Sequence, residues 1–152
     1  MATKSLRRTI PREILEPLEQ LFFGAIGMTS FALSEASAAD LTLPQWRALV
    51  VIGRVDAIRV GEVAAWIGMS LPSTSRLIQR LERQGLVVTE RDESDRRATL
   101  VRITEEGKRV RSDVLARRRK RMHAAVTAHA EELPDDLIGG LEVLARAFDR
   151  YE

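Results

Sequence analysis

Cysteine is absent from the 152 residues. That absence removes disulfides, thiolate metal sites, cysteine nucleophiles and thiol redox sensing together, and it fits a reducing, cytoplasmic setting. Aromatic residues are sparse as well, at four Phe, two Trp and one Tyr. Long hydrophobic runs are missing: the longest nearly apolar stretch, around Leu21 to Met28, is far short of the ~20 residues that span a bilayer, so no membrane partner is expected. Met1 to Pro11 has no apolar core followed by a small-residue cleavage site, so no secretory signal is expected there. Nor is there a nucleophile with a nearby base, a Gly-rich phosphate loop, or a pair of carboxylates in an apolar setting. Neither an enzyme nor a cofactor is therefore expected. The only two histidines, His123 and His129, are six residues apart. That separation is about 240° around a helix, on different faces, and argues against a metal site.

What is present is charge, unevenly placed. The net charge is only +2. Residues 1–58 are neutral, residues 59–121 carry 16 basic and 9 acidic side chains, and residues 122–152 carry 2 basic and 7 acidic. A basic middle followed by an acidic tail attracts polyanions whatever the whole-chain balance.

The patterning is mainly helical. Leu18, Leu21, Phe22, Ala25, Ile26 and Thr29 recur at helical spacing from Pro17 to about Ala36, with Arg12 to Glu16 a separate turn or a kinked extension. Thr42 caps a second helix, with Pro44 in its first turn and Gln45 at the capping-box position, ending at Gly53. Ile58-Arg59-Val60 reads as a short strand. Helices follow at about Gly61 to Ile67 and Leu71 to Gln84, the latter stopped by Gly85. Leu86 to Thr89 and Thr99 to Ile103 then form a hairpin around a charged tip, Glu90 to Ala98. Thr104 caps a long helix reaching about Glu131, and a last helix runs from about Pro134 to Arg150. Gly139-Gly140 costs that helix roughly 1 kcal/mol per glycine against alanine, so close backbone packing or a bend is expected there. Trp46 and Trp66, on apolar helix faces, are expected in the core.

The informative segment is Val60 to Leu77. A helix-turn-helix needs a small residue where its helices touch and a permissive one at the turn, which Ala64 and Gly68 provide. Ser70 caps the second helix and Pro72 suits its first turn. Leu71, Thr74, Leu77, Ile78 and Leu81 share its apolar face. Opposite lie Ser73, Ser75, Arg76, Gln79, Arg80 and Arg83, with Glu82 the helix's only acid. Small hydroxyls permit close approach to base edges, and Arg and Gln offer bidentate reach to guanine and adenine. At the hairpin tip, Asp95 stands two residues before Arg97. In an extended segment both would point one way, letting Asp95 hold the guanidinium for a narrow minor groove. The run Arg117 to Arg121 is either a solvated helix flank or a non-specific attractor of DNA.

These residues resemble the MarR (multiple antibiotic resistance regulator) family. The likeness is carried by Leu41-Thr42-x-x-Gln45-Trp46-x-x-Leu49, by Ser73-x-Ser75-Arg76-Leu77-Ile78-x-Arg80-Leu81-Glu82-x-x-Gly85-Leu86-Val87, by Asp95-Arg96-Arg97, and by Val101-x-Ile103-Thr104-x-x-Gly107. The resemblance implies a mainly α fold with a small antiparallel β-wing. Residues 1–40 and 104–152 would form an intertwined helical dimerisation region around a winged helix-turn-helix at 41–103. It implies a homodimer on pseudo-palindromic double-stranded DNA, a repressor or less often an activator, with a repressor released by a small, often aromatic or phenolic ligand bound between the dimerisation helices and the winged helix. Pro72, Ser73, Ser75, Arg76 and Gln79 would approach bases or nearby phosphates. Arg97, oriented by Asp95, would enter the minor groove, and Arg80 and Arg96 would touch the backbone. The lack of cysteine argues against the family's thiol-based peroxide sensors. Two rivals are weaker: a protein-docking face is usually apolar at its centre, and single-stranded RNA usually needs aromatic stacking residues that this helix and tip lack.

Overall fold

The computed structural model describes residues 12–35, 41–95 and 97–149. Six α-helices and a three-stranded antiparallel sheet appear in the order expected for a winged helix-turn-helix between terminal helices. Helix α1 (Arg12–Glu35) is continuous through Pro17, so it begins five residues earlier than the proline suggested. Proline removes one backbone bond, to the carbonyl of Glu13. That carbonyl belongs to an exposed turn where water can replace the bond. The small, polar stretch Ser34 to Asp40 reads from sequence as the helix end and a connection; Ser34 and Glu35 are still helical, and 36–40 lie outside the described residues.

Local capping explains most of the remaining boundaries. Helix α2 (Leu43–Ile52) starts where the Thr42 N–H and hydroxyl both donate to Gln45 Oε1 at 2.9 Å. Strand β1 is only Ile58–Arg59, and Val60 already opens α3 (Val60–Ile67). Helix α4 (Leu71–Arg83) is capped by Ser70, whose Oγ accepts from the Ser73 N–H. Both α3 and α4 close on a left-handed glycine, Gly68 at φ +67° and Gly85 at φ +71°. After α4, the Leu86 N–H reaches the Leu81 carbonyl and the Gly85 N–H the Glu82 carbonyl, both at 2.9 Å. Leu81 and Leu86 are themselves buried, so the hydrophobic contact of this stop motif is in place.

Strands β2 (Val87–Arg91) and β3 (Thr99–Ile103) pair from Val87–Ile103 to Arg91–Thr99, with β1 on the far side of β3. Strand β2 thus starts one residue later and runs two residues further toward the tip than its β-branched stretch indicated. The hairpin tip is locked to the body. Arg59 Nε and Nη2 lie 2.8 and 2.6 Å from Asp92 Oδ2, while the Ser94 N–H and hydroxyl donate to Asp92 Oδ1 at 2.8 and 2.6 Å. The Ser94 hydroxyl and N–H bonds, then Arg59, pull the Asp92 carboxyl down to about 2.

Helix α5 (Glu105–Thr127) stops four residues short of the expected end, and residues Ala130–Glu132 form a single 3-10 turn before α6 (Leu137–Asp149). The start of α5 is tightly fitted. The Thr104 hydroxyl donates to the Gly85 carbonyl at 2.7 Å and accepts from the Gly107 N–H at 3.0 Å. A Cβ on residue 107 would stand 2.1 Å from the Leu86 carbonyl oxygen.

The core lies inside the winged helix, where Leu49, Ile52, Val63, Ile78, Leu81 and Val101 are all but inaccessible. Trp46 joins it, but Trp66 does not: at 39% exposure it departs from the core position expected of it. Arg121 stacks over the Phe31 ring and lies 3.4 Å from Glu35, so one end of the basic run joins α1 rather than solvent. Phe22 meets Phe148 edge to face at 4.8 Å. Most other large apolar side chains of α1 and α6 remain exposed, Phe23 (81%) and Ile138 (70%) most of all. Gly139 and Gly140 face open space within the chain. Among the described residues, no helix is long and apolar enough to cross a membrane.

Two outcomes follow from these contacts. Gly107→Ala is expected to lower stability by about 1–3 kcal/mol, because backbone rather than a movable side chain must yield; chemical denaturation checks this. Asp92 contributes stability fully above its unfolded value of 3.8 and loses it as pH falls towards about 2. The melting-temperature gap between wild type and Asp92→Asn should therefore be constant from pH 7 to 5 and close below about pH 4.

Candidate nucleic-acid interface

Helix α4 turns two faces in opposite directions. Thr74, Leu77, Ile78 and Leu81 are buried. Pro72, Ser73, Arg76, Gln79 and Arg80 are exposed, and Ser75 is half-buried. Leu71 departs from the apolar face assigned to it and is largely exposed. The first turn carries only small or aliphatic side chains, so little hinders a close approach along its axis.

Between α4 and the hairpin tip runs an open groove of about 670 Å³. Ser75, Gln79, Asp95 and Arg97 all line it. Sequence-predicted residues from two segments about twenty positions apart therefore converge on one surface. Pro72, Ser73, Arg76 and Arg80 lie on the exposed helix outside that groove, and Arg96 lies outside the described residues.

The role expected of Asp95 changes. Its Oδ1 accepts from the backbone N–H of Arg97 at 3.1 Å, and its carbonyl accepts from the Ala98 N–H at 2.8 Å. The tip here is a turn and not an extended strand, so the alternation that would align the two side chains does not apply. Asp95 fixes the Arg97 backbone and leaves the guanidinium without an acidic partner among the described residues.

The electrostatics are governed by where the carboxylates go. Glu82 accepts from the Thr89 N–H and hydroxyl at 2.9 and 2.6 Å, fastening β2 to α4. Glu62 accepts from the Arg59 N–H at 3.0 Å, Glu90 pairs with Arg102 at 2.8 Å, and Asp92 holds Arg59. By contrast Arg76, Arg80 and Arg97 form no ion pair among the described residues. Glu90 and Asp92 are thus charge-paired, Glu62 and Glu82 are hydrogen-bonded within the fold while lining the groove, and Arg76, Arg80 and Arg97 are exposed.

Sequence reasoning missed Arg59 and Asp92, which tie the hairpin tip to the start of α3. Their partnership spans 33 positions and leaves no local trace. The Asp92-x-Ser94 turn is local, however, and its residue types carry the signal.

A second hollow, of about 460 Å³, opens where α2, α3 and α5 meet. Trp46 and Trp66 line it together with Arg47, Arg54, Arg111 and Arg118. The Arg111 Nε is buried there without a hydrogen-bond partner among the described residues.

Known proteins share this architecture. Residues 39–98 match the family model described as MarR family. An HTH-type transcriptional regulator of Bacillus subtilis, YfiV, is 27% identical over 77% of this chain and 73% of its own length. The structure of CouR from Rhodococcus jostii RHA1 bound to p-coumaroyl-CoA is 27% identical, with a TM-score of 0.65 over 93% of this chain and 94% of that one. Wild-type MarR from E. coli, in its apo form, shares the fold at a TM-score of 0.71 and 22% identity, over 93% and 98% of the two chains. The motifs, the fold and the relatives agree: residues 39–98 match the MarR family model, and the chain as a whole is similar to an HTH-type transcriptional regulator and shares the MarR fold.

Proposed function

We propose that this regulator binds pseudo-palindromic double-stranded DNA as a homodimer, represses transcription, and is released by a small anionic aromatic ligand. The observation that carries the DNA reading is the convergence of Ser75, Gln79 and Arg97 on one groove beside Arg76 and Arg80, which form no ion pair among the described residues. In this reading Pro72, Ser73, Ser75, Arg76 and Gln79 meet bases or nearby phosphates, and Arg80 and Arg96 meet the backbone. Arg97 enters the minor groove from a tip whose backbone Asp95 holds. The exposed apolar side chains of α1 and α6 support the homodimer, since soluble monomers rarely leave extended apolar surface open to water. Residues 1–40 and 104–152 then act as the dimerisation region and 41–103 as the DNA-binding unit, in a cytoplasmic protein. The two half-sites lie roughly one helical turn apart.

The ligand reading rests on the hollow at α2, α3 and α5. Two indoles offer flat apolar contact, and clustered guanidiniums suit a carboxylate or phosphate. The CouR structure holds p-coumaroyl-CoA, an aromatic group joined to phosphates. The hollow touches both the helix-turn-helix and α5, so a ligand there favours one angle between them. Differential affinity for two such angles is all that release requires.

Selection from a random duplex pool at two salt concentrations tests the DNA reading. An inverted repeat should be enriched, with Arg76→Ala costing about 1–3 kcal/mol and Arg97→Ala weakening binding to A/T-rich flanks. A folded dimer that enriches nothing at either salt overturns it. For the ligand, hydroxybenzoates, hydroxycinnamates and their thioesters should change the tryptophan emission of wild type and displace the bound duplex. A compound at 100 times its dissociation constant should stabilise the protein by about 2.7 kcal/mol, an effect lost in Arg111→Ala. Duplex displacement that persists in Arg111→Ala would place the ligand elsewhere.

A further inference from the structure

Leu71 is out of register with its own helix. The pattern of α4 groups it with Thr74, Leu77, Ile78 and Leu81, yet those four are buried and Leu71 is 54% exposed. It is the first residue after the Ser70 cap, so it extends past the end of the core that receives the others. Ser75 and Gln79 stand four and eight residues further on. Steps of four keep to one side of a helix, and all three residues line the groove between α4 and the hairpin tip. Along this row the chemistry reads aliphatic, hydroxyl, amide.

Isolated exposed leucines are ordinary on protein surfaces and by themselves mean little. This one differs in its place, at the leading end of the helix that meets the bases. An aliphatic side chain there cannot accept or donate a hydrogen bond. Pressed against the polar edge of guanine or cytosine, it would strip water without replacing the lost bonds. The major groove offers one apolar group, the C5-methyl of thymine.

We propose that Leu71 is a specificity-determining residue that packs on a thymine methyl, so that each half-site carries thymine at one fixed position. The proposal rests on the DNA-binding reading above and adds a base identity to it. Gln79, in the same row, suits adenine, and Arg97 suits a narrow A/T minor groove. The three preferences agree in composition.

The test removes the methyl group alone. Each thymine of the selected duplex is replaced in turn by uracil, in both half-sites together, and affinity is measured for wild type, Leu71→Ala and Leu71→Met. One position should cost wild type roughly four-fold per half-site, the effect of one buried methyl group. Leu71→Ala should bind the thymine and uracil duplexes equally, so that the two changes are non-additive. Leu71→Met should retain the discrimination, which a merely structural role would not require. Uracil effects that are the same in all three proteins overturn the proposal while leaving DNA binding intact. Failure to enrich any duplex overturns both readings.

Discussion

The start of α5 lies so close to the end of α4 that residue 107 has room only for hydrogen. The rest of the structure depends on this contact. Thr104 adds two hydrogen bonds across it, from its hydroxyl to the Gly85 carbonyl and from its N–H to the Leu86 carbonyl at 3.1 Å, while its oxygen caps the Gly107 N–H within α5. Each bond involves backbone on at least one side, so none can swing away as a long side chain does. A rotation of α5 therefore reaches α4 with little slack. In the proposed dimer the separation of the two α4 helices is then set by the angle of α5, and the proposed ligand between α2, α3 and α5 acts on that same angle.

The hairpin is held as firmly by a different means. Asp92 joins Arg59 at the head of α3 to Ser94 at the tip, and Glu82 joins α4 to β2. Three elements distant in sequence are thereby fixed as one body. Asp92 is charge-paired with Arg59, which offsets its field, whereas Glu82 is held by neutral donors and remains anionic beside the groove.

Legibility in the sequence followed range. The caps at Thr42, Ser70 and Thr104 and the glycine stop at Gly85 act within a few residues, and each was readable from residue type and spacing. The helix-turn-helix was readable for the same reason. The Arg59–Asp92 pair was not, because its partners are far apart in the chain. Trp66 and Leu71 carry apolar patterns that place them in the core, but their exposure depends on where neighbouring helices end. Asp95 and Arg97 were correctly brought together by sequence, while the contact between them changed once the tip proved to be a turn. Pro17 shows the converse: its local preference for a helix start yields where the lost bond is exposed to water.

Charge placement settles why a net of +2 understates the field at α4. Helix α5 is 23 residues long and carries the chain about 35 Å from its contact with Leu86. Glu131 and Glu132 follow shortly after its far end. Screening in physiological salt falls off over about 8 Å, so carboxylates there do not cancel the positive potential around α4 and the hairpin. The acidic end lowers the total charge and with it the general attraction to nucleic acid, while the local field at the interface is kept. The molecule is electrically polar along α5, and a polyanion approaching from solution is drawn to the end that carries Arg76, Arg80 and Arg97.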